Sequence, residues 1–598
     1  MIKKLLCILF CTISLAVFTE EDIVEEIITV ASKVSQKINK VNFTVDVIDQ
    51  EELKRQAPTD FISILSNTLG LDTSKNGGPG QYSSIFMRGS NSNHTQVKIN
   101  GVKINPYTAG GASIHNLDPS LISYIEVGSG PFSSTHGSEA IGGVINISTI
   151  RNNKNPFTKI TLGLGADNLM KKGLQTYLTG GNKSLNLLVL NSKTNGFPSL
   201  KNSLIDNNHE NRSFLGSLNF EKSKAEIRLS SWISKGKTEY LDFFGDPLSQ
   251  KYKTSALSAD LDFKFNMDNI ISFTLSSSKD LILQNQFNYL NFRDVTETDN
   301  RNIEIILSNS LKKNLLLVTG LIQENQNVDY SSFGTTFEKK FKTNSIISEV
   351  TKQIEGNKFV FKLRVTDHET YDRQESWNIS YKKDLNNFWS IRLSSGTAFR
   401  SPNSSELYGF GSNISLKPET SKGQEISIEK IINDTNLSLL IFNNKIKNLI
   451  NFSYLNSILE NIEHSKTNGL EIRYLWKNKQ VNGRLLLRYQ NPKDHMGEQL
   501  LRRSKKSFSL NIYKELSLGT LNLNLSAFDK KKDFGGVILP NYELLNLSLY
   551  KQKSKNLSFT IKLENLLDKE YFTASGFNGY YQNQGRSLWL NASYNIVH

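Results

Sequence analysis

The sequence predicts an all-β transmembrane barrel of about 22 antiparallel strands with an N-terminal mixed α/β plug domain inside its lumen. Three observations carry this. From about residue 151 onward, apolar and polar residues alternate with a period of two and no helical pattern intervenes, as in strands with one apolar and one polar face. The apolar face never thickens into the long runs that a soluble core of this size needs. The first 150 residues read differently, mixing strand and helix periods with glycine-rich turns. At roughly 20 residues per strand and turn, the remaining stretch of roughly 450 residues makes about 22 strands, a size class whose lumen is plugged.

Residues 1–19 begin MIKKLLCILFCTISLAVF, two lysines followed by an apolar run from Leu5 to Phe18. This is the order of a secretory signal peptide, with a cleavage point after Ala16, and the run is shorter than the roughly 18 to 20 residues of a membrane span. Cys7 and Cys11 are the only cysteines. The mature chain is then cysteine-free, which excludes disulfides and thiolate metal sites. Residues 20–40 follow as an N-terminal segment carrying EEIITVAS, a β-prone pentad behind two acids.

Residues 41–150 form the predicted plug. VNFTVDVI reads as a strand, and a helix start is signalled at Asp49 or at Thr59 with Asp60, before an amphipathic helix carrying Phe61, Ile64 and Leu65. TQVKINGVKIN is a hairpin turning at Asn100 and Gly101, followed by LISYIEVGSGP and SSTHGSEAIGGVINIST. Residues 151–598 form the barrel. In TLNLNLSAF, Leu521, Leu523 and Leu525 alternate with Asn522, Asn524 and Ser526; in RSLWLNASYNI, Leu588, Leu590, Tyr594 and Ile596 share one face. An outward face meeting lipid and an inward face meeting water explain both.

The net charge of +14 comes from lysines scattered singly among asparagines and serines. Such patterning presents no basic patch, so no nucleic-acid partner is expected. No set of nucleophile, base and orienting group is recognisable, so no enzyme activity is expected.

The stretches EEIITVAS, SIFMRG, VKINGV, YIEVGSGP and HGSEAIGGVINI occur in the order found in the plugs of TonB-dependent outer-membrane receptors, which this chain resembles. The likeness continues through GTAFRSPNSSELYGF, SLKPETSKGQE, NGLEIRY, LLRRSK, LENLLDKEYF and QGRS, whose wording and order are similar to the cobalamin receptors of that family. It covers nearly the whole mature chain. The resemblance implies a monomer in the outer membrane of a Gram-negative bacterium, in contact with lipid and lipopolysaccharide. It also implies TonB-dependent import of cobalamin, with TonB energised by an inner-membrane proton-gradient complex and no cofactor required. The alternative cargoes are a ferric siderophore or haem; a passive porin or adhesin barrel is the reading from another class.

Within that frame, Ile27, Ile28, Thr29, Val30 and Ala31 form the TonB box, an unstructured pentad exposed to the periplasm that adds as an edge strand to the partner's sheet through main-chain bonds. NGGPGQYSS puts glycines at 77, 78 and 80 before Gln81, Tyr82 and Ser83. It lacks the spacing and lysine of a phosphate loop, and it reads either as a ligand-facing apical loop or as a plain hairpin turn. NPYTAGGAS is the second apical loop, with Tyr107, Thr108 and Ser113 as its polar contributors. Many moderate hydrogen bonds and ring contacts suit a large, amide-decorated corrinoid.

The family pattern pairs plug arginines with barrel glutamates, and Arg88, Glu425 and Glu471 stand at the matching positions. A second plug arginine is replaced here, where Ser129, Gly130 and Pro131 stand for RGP, so one arginine is expected to face two acids. The relatives also bind calcium in extracellular loops, and Asp206, Glu210, Asp242 and Asp246 are the matching acids, a sparse set for an ion that takes six to eight oxygens. Haem receptors carry a histidine downstream of an FRAP motif, whereas residues 403–416 after FRSP contain none. His94, His115 and His136 read as solvated turn residues.

Overall fold

The computed structural model describes residues 27–597 apart from 151–154, 242–244, 267, 286–292, 333, 454–455 and 479–480. The expected signal peptide, residues 1–19, therefore lies outside the described residues. Among them, 22 antiparallel strands close into one barrel, with the first, Phe157–Gly165, paired to the last, Ser587–Val597. The alternation read from the sequence has a clear physical sense: Leu521, Leu588, Leu590, Tyr594 and Ile596 are exposed, while Asn522, Asn524 and Ser526 are buried. Apolar residues outside and polar residues inside invert a soluble protein, and only a lipid surround makes that arrangement favourable.

Strands Arg293–Lys312 and Thr335–Ile354 have 20 residues each, more than the roughly 9 to 11 that cross a bilayer. They extend beyond it. One end of the barrel is closed by tight turns such as 223–224 and 355–356, and the other carries long loops such as 401–418 and 565–586. Short turns mark the periplasmic end and long loops the extracellular one.

The plug comprises β1 (Ile27–Ile28), β2 (Gln36–Lys37), β3 (Val45–Ile48), α1 (Gln50–Gln56), α2 (Phe61–Leu69), β4 (Asp72–Lys75), β5 (Ser83–Phe86), β6 (Thr95–Ile99), β7 (Val102–Lys103), β8 (Tyr124–Ser129), α3 (Ser133–His136) and β9 (Gly143–Ser148). Its main sheet runs β3-β8-β9-β6-β7, with β6 and β9 parallel. Both helix-start signals are used. Asp49 accepts from the Glu52 N–H at 2.7 Å and Asp60 from the Ser63 N–H at 2.8 Å, so each caps its own helix. Asn100 and Gly101 turn the β6–β7 hairpin with φ of 50° and 83°, the paired positive angles of a tight two-residue turn. Phe61, Ile64 and Leu65 pack with Ile48, Met87, Ile125 and Ile145, and this core continues into Leu215 and Trp232 of the barrel wall.

Candidate ligand-binding and coupling site

At the extracellular end, both apical loops lie together. The Tyr82 ring of the first passes over Gly111 of the second, where an added Cβ would stand 3.0 Å from its hydroxyl. The glycines of the first loop serve close packing as well as turning. A Cβ at Gly78 would meet Phe197 at 2.9 Å, and Gly80 has a φ of 75°, so the loop presses directly on barrel loop 195–208.

Of the six apical side chains picked from sequence, only Tyr82 is open, at 45% exposure. Gln81 donates to the Glu239 carbonyl at 2.7 Å, and Ser83 donates to the Gln81 carbonyl at 3.0 Å. Tyr107 is buried and donates to the Pro402 carbonyl at 3.1 Å, while Thr108 and Ser113 are also buried. The polarity of these residues ties loops to the wall instead of lying open. A polar side chain on a turn has no sequence mark that separates the two uses.

Around Tyr107 the barrel supplies rings that the sequence reading missed. Phe341 lies 4.7 Å from it, Tyr330 stacks on Phe337 at 4.7 Å, and Tyr408 flanks Phe337 at 5.7 Å. His368 and Tyr371 stand 4.7 Å apart, and Tyr371 also donates to the Pro402 carbonyl, at 2.9 Å. Their sequence signal was weak, because they come from three neighbouring strands, a loop and a short helix far apart in the chain. The FRSPNSSELY segment organises them: Ser404 donates from both N–H and hydroxyl to the Tyr107 carbonyl.

Arg88 does reach both predicted partners, Glu425 at 2.7 Å and Glu471 at 3.4 Å. Burial works against its charge, but Glu471 and Glu425 outweigh that and hold the guanidinium above its ordinary value. Arg88 thus faces two acids, as expected, but it is not their only cation. Glu471 also binds Arg473 at 2.6 Å and Arg488 at 3.0 Å, so wall residues supply the cations that position 129 lacks. A second clamp, also missed, centres on Asp72. It accepts from the Ser504 hydroxyl at 2.6 Å and Gln490 at 2.8 Å, with Lys531 at 3.2 Å. The LLRRSK stretch supplies Ser504 and also Arg503, which donates to the Ser90 carbonyl at 2.8 Å.

The pentad is docked, contrary to the exposed, unstructured segment expected. Ile27–Ile28 pairs with Gln36–Lys37, and Val30 and Ala31 are buried. The Glu126 carboxylate accepts from the N–H groups of Thr29 at 2.8 Å and Val30 at 2.9 Å. Burial raises the Glu126 carboxyl above its ordinary range, and those two N–H groups oppose the rise. His136 donates through Nε2 to the Val30 carbonyl at 2.7 Å, Lys362 donates to the Ala31 carbonyl, and the Ser32 hydroxyl donates to Glu349 at 3.0 Å. The pentad's main-chain groups are satisfied within the chain because a free segment beside a polar wall can exchange water for these partners.

The plug histidines are likewise buried or half-buried, not solvated. His94 lies 2.8 Å from Glu419, and burial, with His209 beside it, pushes His115 down to about 3. Of the calcium set, Asp206, Glu210 and Asp246 lie among the described residues and form no cluster of three. Among the described residues no three acidic, imidazole or thiol groups form a cluster, Glu210 is spent on Arg212 at 2.7 Å, and Asp206 and Asp246 are exposed. Asp242 lies outside the described residues. The acids described do not fit a calcium cage.

A family model described as TonB dependent receptor-like, beta-barrel matches residues 180–566, and one described as TonB-dependent Receptor Plug Domain matches residues 37–144. The chain is 26% identical over 588 residues to the vitamin B12 transporter BtuB of Vibrio vulnificus, covering 95% of each. It is 24% identical over 607 residues to that of Photobacterium profundum, covering 98% of each. Among solved structures, the siderophore receptor PiuA of Acinetobacter baumannii superposes with a TM-score of 0.78 at 15% identity, covering 94% of this chain and 98% of its own. The ferripyoverdine receptor of Pseudomonas aeruginosa, bound to ferripyoverdine, gives 0.80 at 14% identity, covering 96% and 89%. At such identities these structures speak for the fold alone.

Proposed function

The chain belongs to the TonB-dependent receptors, outer-membrane proteins of Gram-negative bacteria, and on that premise we propose that it imports cobalamin. The observation that carries this reading is the kinship, over nearly the full length of both chains, with proteins named as vitamin B12 transporters. The extracellular face is compatible with it: the open ring of Tyr82 beside the second apical loop suits contact with a large amide-rich corrinoid.

In this reading ligand binds between the apical loops and the barrel loops. The pentad Ile27–Ala31 then leaves Glu126 and joins TonB as an added strand, and force on the segment behind it opens a path beside the plug. Arg88 with Glu425 and Glu471 keeps the rest of the plug in place. A ferric chelate is the second reading, favoured by the aromatic density around Tyr107.

The test is equilibrium binding of cyanocobalamin to the detergent-purified mature protein, beside a ferric siderophore and haem. Saturable cobalamin binding with no siderophore binding is the expected result. Binding of the iron ligands alone would overturn the cargo while leaving the family intact. Deleting residues 27–31 separates active import from a passive porin or adhesin barrel: uptake stops in the first case and continues in the second.

A further inference from the structure

Between the plug hairpin β6–β7 and the wall strands Asn269–Asn285, Arg293–Lys312, Leu315–Ser332 and Asn357–His368 lies a partly open cavity of about 40 Å³. Four cations line it: Lys33, Lys98 and Lys103 from the plug side and Arg364 from the wall. Its two carboxylates are both engaged, Glu304 with Lys33 and Glu324 with Lys103 at 2.9 Å. Lys98 is 8% exposed and lines the cavity, and the carboxylate that acts on it, Glu304, is already paired with Lys33. Arg364, also buried, donates to the hydroxyls of Thr366 at 3.1 Å and Ser345 at 2.9 Å and has no carboxylate within ion-pair distance among the described residues, although Glu304 and Glu324 act on it from further off.

Lys98 and Arg364 face one polar space in which four cations meet two carboxylates, and that excess of buried positive charge is costly. An anion of the right size would relieve them both. The space holds roughly three waters or one tetrahedral oxyanion, and it excludes a corrinoid. We propose that this cavity is a binding site for a free, small inorganic oxyanion of the phosphate class, bridging Lys98 of the plug to Arg364 of the barrel. Burial and Lys33, with Arg364 and Lys103 adding to them and Glu304 opposing, push Lys98 down to about 7. Lys33 stands two residues after the pentad, so withdrawing that segment takes one wall of the site with it. The ion is thus a removable pin between plug and wall.

The test is calorimetric titration of inorganic phosphate into the full mature protein at pH 6.5, with thermal melting as a parallel readout. The wild type is expected to bind phosphate and to melt at higher temperature as phosphate rises. Lys98→Met and Arg364→Met are each expected to lower the affinity at least tenfold and to flatten the melting response, while Lys98→Arg stays within threefold of wild type. Removing a buried unpaired cation favours folding, so Lys98→Met is a variant that folds. No phosphate binding by the wild type, or wild-type affinity in Lys98→Met, overturns the proposal. Neither result depends on the identity of the cargo.

Discussion

The plug meets the barrel wall in two contrasting ways. On the Arg88 side, charges are matched several times over: Glu471 is shared by Arg88, Arg473 and Arg488, and Asp72 is held by Ser504, Gln490 and Lys531. On the pentad side, the chain is held by Glu126, by His136, and by Lys362 and Glu349, of which the last two pair with each other at 3.2 Å, next to a cavity where four cations meet two carboxylates. A network with shared partners fails only when several contacts break together, whereas separate bonds can be lost one by one. The first side resists displacement, and the second is built to come apart in steps.

The largest effect is expected from Glu471→Ala, which leaves three buried guanidinium groups short of their acid. Loss of one partner from such a cluster costs about 3 to 5 kcal/mol, read as a fall in the melting temperature of the purified protein. A loss under about 1 kcal/mol would show that the Arg88 side is no stronger than the other. Val30→Pro comes next. It removes the N–H given to Glu126 and spoils strand addition, so uptake should fall at least tenfold while cobalamin binding is kept; a parallel fall in binding would erase the division of labour between the two ends.

Glu126→Gln sharpens the contrast more gently. Exchanging a charged acceptor for a neutral one weakens its two bonds by about 1 kcal/mol, so protease access to the pentad should rise about fivefold. Unchanged access would move the latch to Lys362 and His136. At the extracellular end, Tyr82→Ala should weaken cobalamin binding about fivefold, the worth of one ring contact of about 1 kcal/mol; no change would return that loop to a packing role. Calcium removal is expected to matter least, shifting cobalamin affinity less than threefold. A tenfold loss on chelation would instead put Asp206, Glu210, Asp242 and Asp246 around an ion.

Much of the architecture was legible from residue order alone. Strand periodicity with apolar faces turned outward, both helix caps at Asp49 and Asp60, and the Asn100–Gly101 turn all depend on neighbours close in sequence, and each is found where it was read. Contacts between distant segments were legible only where the family resemblance supplied them, as with Arg88, Glu425 and Glu471. The rest was decided by tertiary structure. Gln81 and Tyr107 are spent on carbonyls 158 and 295 residues away, Glu471 gathers arginines from its own and the neighbouring strand, and the pentad folds back on Glu126. Local propensity follows from the chain itself, but whether a polar group faces solvent, ligand or wall depends on which distant backbone closure brings within hydrogen-bond reach.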